Sequence, residues 1–194
     1  MEYGPKTFRE LKQYIRSDLQ YVSGHPYRTL FRRYFGEPGM RYTFWLRFTR
    51  YFFLKGKAFF PLFLLSRKLL KHYAYKHSFD ISYRAQIGPG LTIAHYGYII
   101  VTSNTTIGRN CTLRPGVVFG KKLTKNEPGA TVGDDVNIGV GSAIVGNLTI
   151  GDRVVIGANS VVTKDVPSDC VIAGAPARVI RMTDNTNYCV DEKA

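Results

Sequence analysis

The stretch VGDDVNIGVGSAIVGNLTIGDRVVIGANSVVTKDVP, residues 132–167, decides the fold. An aliphatic residue recurs at every sixth position, and the fifth position of each hexad is small or aliphatic. An α-helix needs apolar residues every three to four positions, and a half-buried strand needs them at every second, so neither period fits. A fixed hexad predicts a β-helix, in which short strands coil around a stacked apolar core. The first positions are Val132, Ile138, Ile144, Ile150, Ile156 and Val162.

The same phase extends towards the N-terminus, with two extra residues after Ile93 and a break at residues 121–130. We therefore predict a mainly β fold: a helical segment over residues 1–78, a β-helix over residues 79–182 and a polar tail over residues 183–194. The upstream positions in phase are Ile81, Ile87, Ile93, Val101, Ile107, Leu113 and Phe119.

Hexads of this order resemble those of the hexapeptide-repeat acyltransferases, whose fold is a left-handed parallel β-helix. The sequence AGAPAR at residues 173–178 resembles the usual exit from that helix. The resemblance covers residues 80–181, slightly more than half of the chain. It implies a triangular prism in which three hexads form one coil.

The positive charge lies in the N-terminal part. Residues 1–78 hold 16 Lys/Arg and 4 Asp/Glu, whereas the remaining residues hold 11 and 10. Residues 7–22 have helical apolar spacing, and residues 41–75 are rich in aromatics and basic residues without an acidic one. Such a segment either lies on an anionic membrane surface or packs on the first coil or a sister subunit. Its longest uncharged run, residues 58–66, is too short to cross a bilayer. No nucleic-acid-binding motif accompanies the charge.

Composition favours a reducing compartment. The three cysteines, Cys111, Cys170 and Cys189, are odd in number and form no CxxC pair. The first residues lack the basic and apolar regions of a secretory signal. We expect a cytoplasmic protein, with the inner membrane face as an alternative site for the basic segment. No metal is expected, because only His95 lies within the repeats and a zinc site as in the β-helical carbonic anhydrases needs three histidines.

His95 occupies the third position of its hexad, which should face outward because the first and fifth positions face the core. Residues 80–95 and 107–117 resemble the serine acetyltransferases and related sugar O-acetyltransferases, in which a histidine in this setting is the general base. The resemblance implies that Asp80, fifteen residues earlier, orients it. A neutral imidazole can take the proton of a hydroxyl that attacks a thioester, and a carboxylate behind it fixes its tautomer.

The same resemblance implies acetyl-CoA as the donor and a homotrimer with the active site between neighbouring subunits. The coenzyme would lie along the later coils, with its pantetheine beside two backbones and its phosphates near arginines, which bind phosphate in a bidentate way. The matching positions are Val140, Ala158, Thr163, Lys164, Arg178 and Arg181.

The acceptor site departs from the serine acetyltransferases. Ala94 stands where that family has an aspartate, the loop 121–130 lacks its Arg-His pair, and the helical segment is roughly half as long. The segment around His95 resembles an exopolysaccharide (colanic acid type) acetyltransferase instead. These features predict a sugar hydroxyl of a capsular or exopolysaccharide, or its precursor, as the acceptor. Serine O-acetylation is the alternative, and a non-catalytic membrane-bound scaffold is a third reading.

Overall fold

The computed structural model describes residues 3–19, 32, 34–120 and 128–183. Three helices come first: α1 (Phe8–Leu19), α2 (Pro38–Lys55) and α3 (Phe60–His77), with a 3-10 turn at Gly56–Phe59 between the last two. The strands that follow are β1 (Phe79–Ile81), β2 (Gln86–Ile87), β3 (Thr92–Ile93), β4 (Ile99–Val101), β5 (Thr106–Ile107), β6 (Thr112–Leu113), β7 (Val118–Gly120), β8 (Thr131–Val132), β9 (Asn137–Ile138), β10 (Ala143–Val145), β11 (Thr149–Ile150), β12 (Val155–Ile156), β13 (Val161–Val162), β14 (Cys170–Gly174) and β15 (Ala177–Met182).

The strands stack into three parallel sheets that form the faces of a prism. Face 1 contains β1, β4, β7, β10 and β13; face 2 contains β2, β5, β8 and β11; face 3 contains β3, β6, β9, β12 and β14. Each coil supplies one strand to each face, and β15 pairs antiparallel with β14 at the end of face 3. The predicted β-helix of hexads is confirmed.

The registers show where the coils depart from the regular circuit. Ala143 pairs with Val161, eighteen residues later, as three hexads require. Thr92 pairs with Thr112, twenty residues later, so the two extra residues after Ile93 bulge out of the first coil. Thr112 pairs with Asn137, twenty-five residues later, so this circuit is seven residues longer than three hexads. Residues 121–127, between β7 and β8, lie outside the described residues. Most of the loop predicted at residues 121–130 therefore has no structural description.

The core is a column of aliphatic side chains inside the prism. Residues at the first hexad positions are buried, except for the half-buried Ile93, and small residues at the fifth positions, such as Ser142 and Ser160, are buried beside them. Burying an aliphatic side chain contributes about 1.5–3 kcal/mol, so the repeat itself supplies the stability of the coils. The first-position residues with no exposed surface are Ile107, Leu113, Ile138 and Ile144.

Helix α1 begins at a capping box. The Glu10 backbone N–H donates to the Thr7 hydroxyl, and the Thr7 N–H donates back to the Glu10 carboxylate. This reciprocal pair satisfies amide groups that have no partner inside the helix. The helix predicted over residues 7–22 is thus present as far as Leu19, and residues 20–31 lie outside the described part of the chain.

Helices α2 and α3 pack on the first coil. The Tyr42 hydroxyl donates to the Ile81 carbonyl and accepts from the Ile81 N–H, both at 3.0 Å, so it satisfies part of the open edge of β1. Its ring packs on Phe79 at 5.2 Å between centroids. Tyr42 and Leu70 thereby belong to the same apolar core as the coils. The division of the chain at residue 78 into separate domains stays a prediction.

A second polar contact fastens the helices to the coil. Asp18 and Arg47 form an ion pair at 2.9 Å, with side chains only 1% and 3% exposed. Arg47 belongs to the basic aromatic segment, for which the sequence left both contact with anionic lipid and packing on the first coil or a sister subunit open. For this residue the structure shows packing, because its guanidinium is buried against Asp18. Among the described residues, no helix is long and apolar enough to cross a membrane.

Candidate active site

His95 lies in the two-residue bulge between β3 and β4, at the corner where face 3 turns into face 1. Its side chain is exposed, as the hexad position predicts. Among the described residues no side chain or backbone group hydrogen-bonds to it. An exposed imidazole without a structural partner is free to exchange a proton with a bound molecule.

The backbone of His95 is unusual for its position in the hexad. Elsewhere in the coils, the left-handed conformation falls on the fourth position, at residues such as Asn110, Asp135 and Asn159. In the bulged coil it falls on the third position, because His95 has φ 65°. Non-glycine residues seldom adopt this conformation unless the surrounding structure imposes it, and such strain is concentrated at functional sites. The bulge therefore gives His95 a different direction from the other third-position residues.

Asp80 lies on β1 of face 1, next to the corner that carries His95. Its side chain is exposed, and its Cα is paired with that of Ile100, which follows His95 in β4. Because Asp80 is paired with Ile100, twenty residues later, it does not sit directly under His95, which lies five residues before Ile100 in the chain. The described residues show no hydrogen bond between the two side chains. The structure brings Asp80 to the same corner as His95, and its orienting role stays a prediction.

Two of the predicted coenzyme residues lie on the same edge of the prism as His95. Going along the coils, the third positions at this corner are His95, Pro115, Val140 and Ala158, which we call the His95 edge. Successive coils are joined there by backbone hydrogen bonds, from Gly141 N–H to the Pro115 carbonyl at 2.9 Å and from Asn159 N–H to the Val140 carbonyl at 2.7 Å. Three coil spacings separate His95 from Ala158, which is roughly 14 Å.

The Val140 and Ala158 side chains on this edge are exposed and small. An extended ligand can therefore lie against the backbone there without meeting a large side chain. The His95 edge is therefore a long surface on which Val140 and Ala158 present only small side chains.

The other predicted coenzyme residues gather at the far end of the prism. A cleft of about 240 Å³ lies between the last coil and the β14–β15 hairpin. Thr163, Lys164 and Arg178 line it, and the exposed Arg181 follows on β15. The cleft also includes Asp165 and Val179, which the sequence did not single out. Lys164 and Arg178 give the cleft a positive side suited to phosphate.

The described cysteines are structural. Cys111 is fully buried at a fifth hexad position, and burial raises its pKa to about 12. Burial also raises the pKa of Cys170. A thiol is a nucleophile only as the thiolate, so neither group is suited to covalent catalysis. Cys189 and the predicted tail, apart from Thr183, lie outside the described residues.

Tyr98 is a further feature of this corner. Its backbone carbonyl accepts the Gly116 N–H at 2.7 Å, so it is fixed to the next coil along the His95 edge. Its ring and that of Tyr96 are 55% and 69% exposed, unusually high fractions for tyrosine. Two exposed aromatic residues therefore lie in the same bulge as His95.

Known proteins with similar sequences and structures share this architecture. The family profile described as bacterial transferase hexapeptide (six repeats) matches residues 129–164. A serine acetyltransferase of Synechococcus elongatus is 39% identical over 99 residues, which is 50% of this chain and 40% of that protein. A serine acetyltransferase of Buchnera aphidicola is 31% identical over 150 residues, 76% of this chain and 53% of that protein. The chain spans about half the length of these curated relatives.

A solved structure extends the similarity to the helical segment. Soybean serine acetyltransferase without ligand superposes with a TM-score of 0.76 at 26% identity, covering 89% of this chain and 69% of that one. An alignment over 89% of the chain cannot be confined to the coils, so at least part of the N-terminal helices is also matched.

These relatives correct the predicted acceptor. The prediction of a polysaccharide hydroxyl is wrong, since the similar proteins are serine acetyltransferases. The prediction relied on three missing features, at Ala94, in the loop and in the helical segment. The loss of contacts to one acceptor does not create contacts to another, and no sugar-binding group had been identified. With its hexad coils, its matched repeats and its serine acetyltransferase relatives, the chain belongs to the hexapeptide-repeat transferase family and has that family's left-handed β-helix.

Proposed function

We propose that the chain is an O-acetyltransferase that moves the acetyl group of acetyl-CoA to the hydroxyl of serine or a similarly small acceptor. The observation that carries this proposal is the exposed His95 at the head of an edge lined by Val140 and Ala158. The edge offers a base at one end and room for an extended coenzyme along its length. Serine acetyltransferase relatives support both the donor and the size of the acceptor.

His95 acts as the general base in this proposal. The imidazole removes the proton from the acceptor hydroxyl while the oxygen attacks the thioester carbonyl. The tetrahedral intermediate then collapses, the carbon–sulfur bond breaks, and the imidazolium returns its proton to the departing coenzyme thiolate. Asp80 would stabilise the imidazolium from the neighbouring strand once a ligand orders the corner. No acyl-enzyme is formed, which agrees with the buried state of Cys111 and Cys170.

The coenzyme would run from His95 along the edge towards the far cleft. Backbone groups beside Val140 and Ala158 are available to the amides of the pantetheine, because their side chains leave the surface open. Thr163 and Lys164 would follow at the next corner of the last coil. Arg178 and Arg181 would neutralise the phosphates, and a guanidinium can do so through two parallel hydrogen bonds.

We also propose that the active form is a homotrimer. The His95 edge is a convex corner, so one chain supplies only one wall of a binding site. A neighbouring copy against this corner would supply the second wall and would cover the open rings of Tyr96 and Tyr98. Because acetyl-CoA is an intracellular metabolite, the proposal implies a cytoplasmic location. Contact with an anionic membrane is a separate matter, since it concerns the helical segment and not this edge.

The experiment is thiol release from acetyl-CoA, measured with L-serine and with a panel of threonine, homoserine and simple sugars. Serine or another small amino-acid hydroxyl should give the fastest release, and His95→Ala should abolish it. A higher rate with a sugar would contradict the small acceptor. Release no faster than thioester hydrolysis with every acceptor would contradict the proposed enzyme class.

A further inference from the structure

The turn between α2 and α3 exposes a group of large apolar side chains, although Phe59 stacks on Phe52 at 6.1 Å and Phe60 contacts Phe63 at 6.3 Å between ring centroids. Phe60 and Leu65 are 53% and 55% exposed at the start of α3. We call this group, together with the 3-10 turn, the hairpin tip. Soluble proteins seldom leave so many large apolar residues open in one place unless something binds there. Its exposed members are Phe59, Phe60, Pro61, Leu62, Leu64 and Leu65.

The packing of α3 does not account for these residues. Its inner face is already occupied, since Ser66 and Leu70 are buried and the Phe63 ring packs on Tyr83 at 5.5 Å. The exposed apolar residues lie on the outer side of the first two turns, away from this inner face. They are additional to the contacts that hold the helix on the first coil.

Along the outer face of α3, the exposed apolar residues of the first two turns are followed by exposed basic residues. Lys68 and Lys71 are exposed on the turns that follow Leu65, and Lys57 is exposed in the 3-10 turn. From residue 38 to residue 79 the chain has nine Lys/Arg and no Asp/Glu. Exposed apolar residues beside a surface of one charge are the arrangement of a helix that lies in the interface of an anionic membrane.

We propose that the hairpin tip docks on an anionic lipid surface. Phe60, Leu64 and Leu65 enter the boundary between headgroups and acyl chains, and Lys68 and Lys71 contact the headgroups. The helix lies on the surface, since α3 carries basic residues through its second half. The docking does not depend on acetyl transfer.

Charge favours lipid over a second copy of the chain. Two hairpin tips brought together would each present only basic side chains, and like charges at close range repel. The β-helix offers no compensating acidic excess, because residues 79–194 are nearly balanced. An anionic lipid surface matches both the sign of the charge and the exposed apolar residues.

Sedimentation with vesicles tests the proposal. Vesicles of phosphatidylcholine with about one third phosphatidylglycerol should bind the full chain at low salt, and pure phosphatidylcholine vesicles should bind it weakly. Each basic residue near an anionic leaflet contributes about fivefold to partitioning, so K68E/K71E should weaken binding at least roughly thirtyfold. F60S/L64S should weaken it by about tenfold or more through loss of inserted apolar surface. High salt should release the wild type, as screening requires.

Matched controls lie at the opposite end of the prism. R178E/R181E makes the same change in charge as K68E/K71E, and I180S/M182S removes two similarly exposed apolar side chains. Both controls should bind vesicles like the wild type. Circular dichroism and Trp45 fluorescence should show that each variant is folded.

Three outcomes would overturn the proposal. The wild type could ignore anionic vesicles at low salt, or the control variants could lose as much binding as the hairpin variants. Alternatively, F60S/L64S could reduce the mass of the assembly in light scattering while vesicle binding is unchanged, which would assign the hairpin tip to contact between copies. None of these results would alter the test of acetyl transfer, because that assay uses soluble substrates.

Discussion

Replacing Asp18 with asparagine should loosen the helical segment from the coils. The Asp18 carboxylate accepts bonds from Arg47 Nε at 2.9 Å and Nη2 at 3.0 Å, and from the backbone N–H groups of Gly90 and Leu91 at 2.9 Å each. Arg47 also donates to the carbonyls of Ile87 and Gly88, at 2.7 Å each. One buried pair therefore connects α1, α2 and the first coil.

The magnitude follows from the burial of both groups. Removing one partner of a buried pair leaves an uncompensated charge and typically costs about 3–5 kcal/mol. In Asp18→Asn the remaining Oδ1 can still accept the bonds from Gly90 and Leu91, but the new amide faces Arg47 Nε as a second donor. We expect a loss near 3 kcal/mol, a large share of the roughly 5–15 kcal/mol that stabilises a typical domain.

Urea unfolding followed by Trp45 fluorescence and by far-UV circular dichroism measures this loss. Trp45 is the only tryptophan, lies on α2 and donates to the Tyr34 hydroxyl at 3.0 Å, so it reports the docking of the helices. The double variant Asp18→Asn with Arg47→Met removes the stranded charge and should recover stability relative to Asp18→Asn, with a coupling energy of about 2 kcal/mol or more. A loss of stability below about 1 kcal/mol in Asp18→Asn would refute the reasoning. So would a loss in the double variant equal to the sum of the losses in Asp18→Asn and Arg47→Met.

Three further outcomes are expected. His95→Ala should lower kcat by about a hundred- to ten-thousand-fold without changing the urea midpoint, because the side chain is exposed, and Asp80→Asn should lower it less in the same assay. Light scattering should give the mass of a trimer, and a monomer at micromolar concentration would contradict a site shared between copies. Hydrogen bonds from Arg153 lower the pKa of Asp169 below its usual 3.8 in the folded protein. The stabilisation from this pair is therefore fully present above pH 3.8 and is lost as the pH falls through the lowered pKa of the folded state. Asp169→Asn should therefore be less stable than the wild type at neutral pH and equal to it in strong acid, whereas a difference independent of pH would argue against the pair.

The coils could be predicted from sequence because the residues of their core recur at a fixed spacing along the chain. A side chain such as Ile138 contacts the residues one circuit before and after it, so burial repeats with the period of the chain itself. The same reasoning located the bulge, because two residues inserted into the hexad spacing after Ile93 cannot fit into a regular coil. It could not predict that the bulge puts His95 in the left-handed conformation, which depends on how the corner closes.

The helical segment was harder to interpret because its contacts are not periodic. Arg47 looked like one of several basic residues on an aromatic helix, yet its partner lies twenty-nine residues earlier in the chain. Tyr42 likewise is one of many aromatics in that segment, but it is almost fully buried, and its hydroxyl bonds to the backbone of β1. The exposed residues of the hairpin tip, with Lys68 and Lys71, fit the membrane-surface role, which was one of the two roles that the composition left open for the segment.

The helical segment also supports the part of the coil that leads to the base. Asp18 and Arg47 bind the backbone from Ile87 to Leu91, and Gly39 of α2 lies so close to Ile93 that a Cβ there would collide with its carbonyl oxygen. The supported stretch ends two residues before His95. In a regular coil the neighbours above and below hold each strand, but the first coil has a neighbour on one side only. The helices supply the missing side, so we infer that the position of His95 depends on their docking as well as on the hexad repeat.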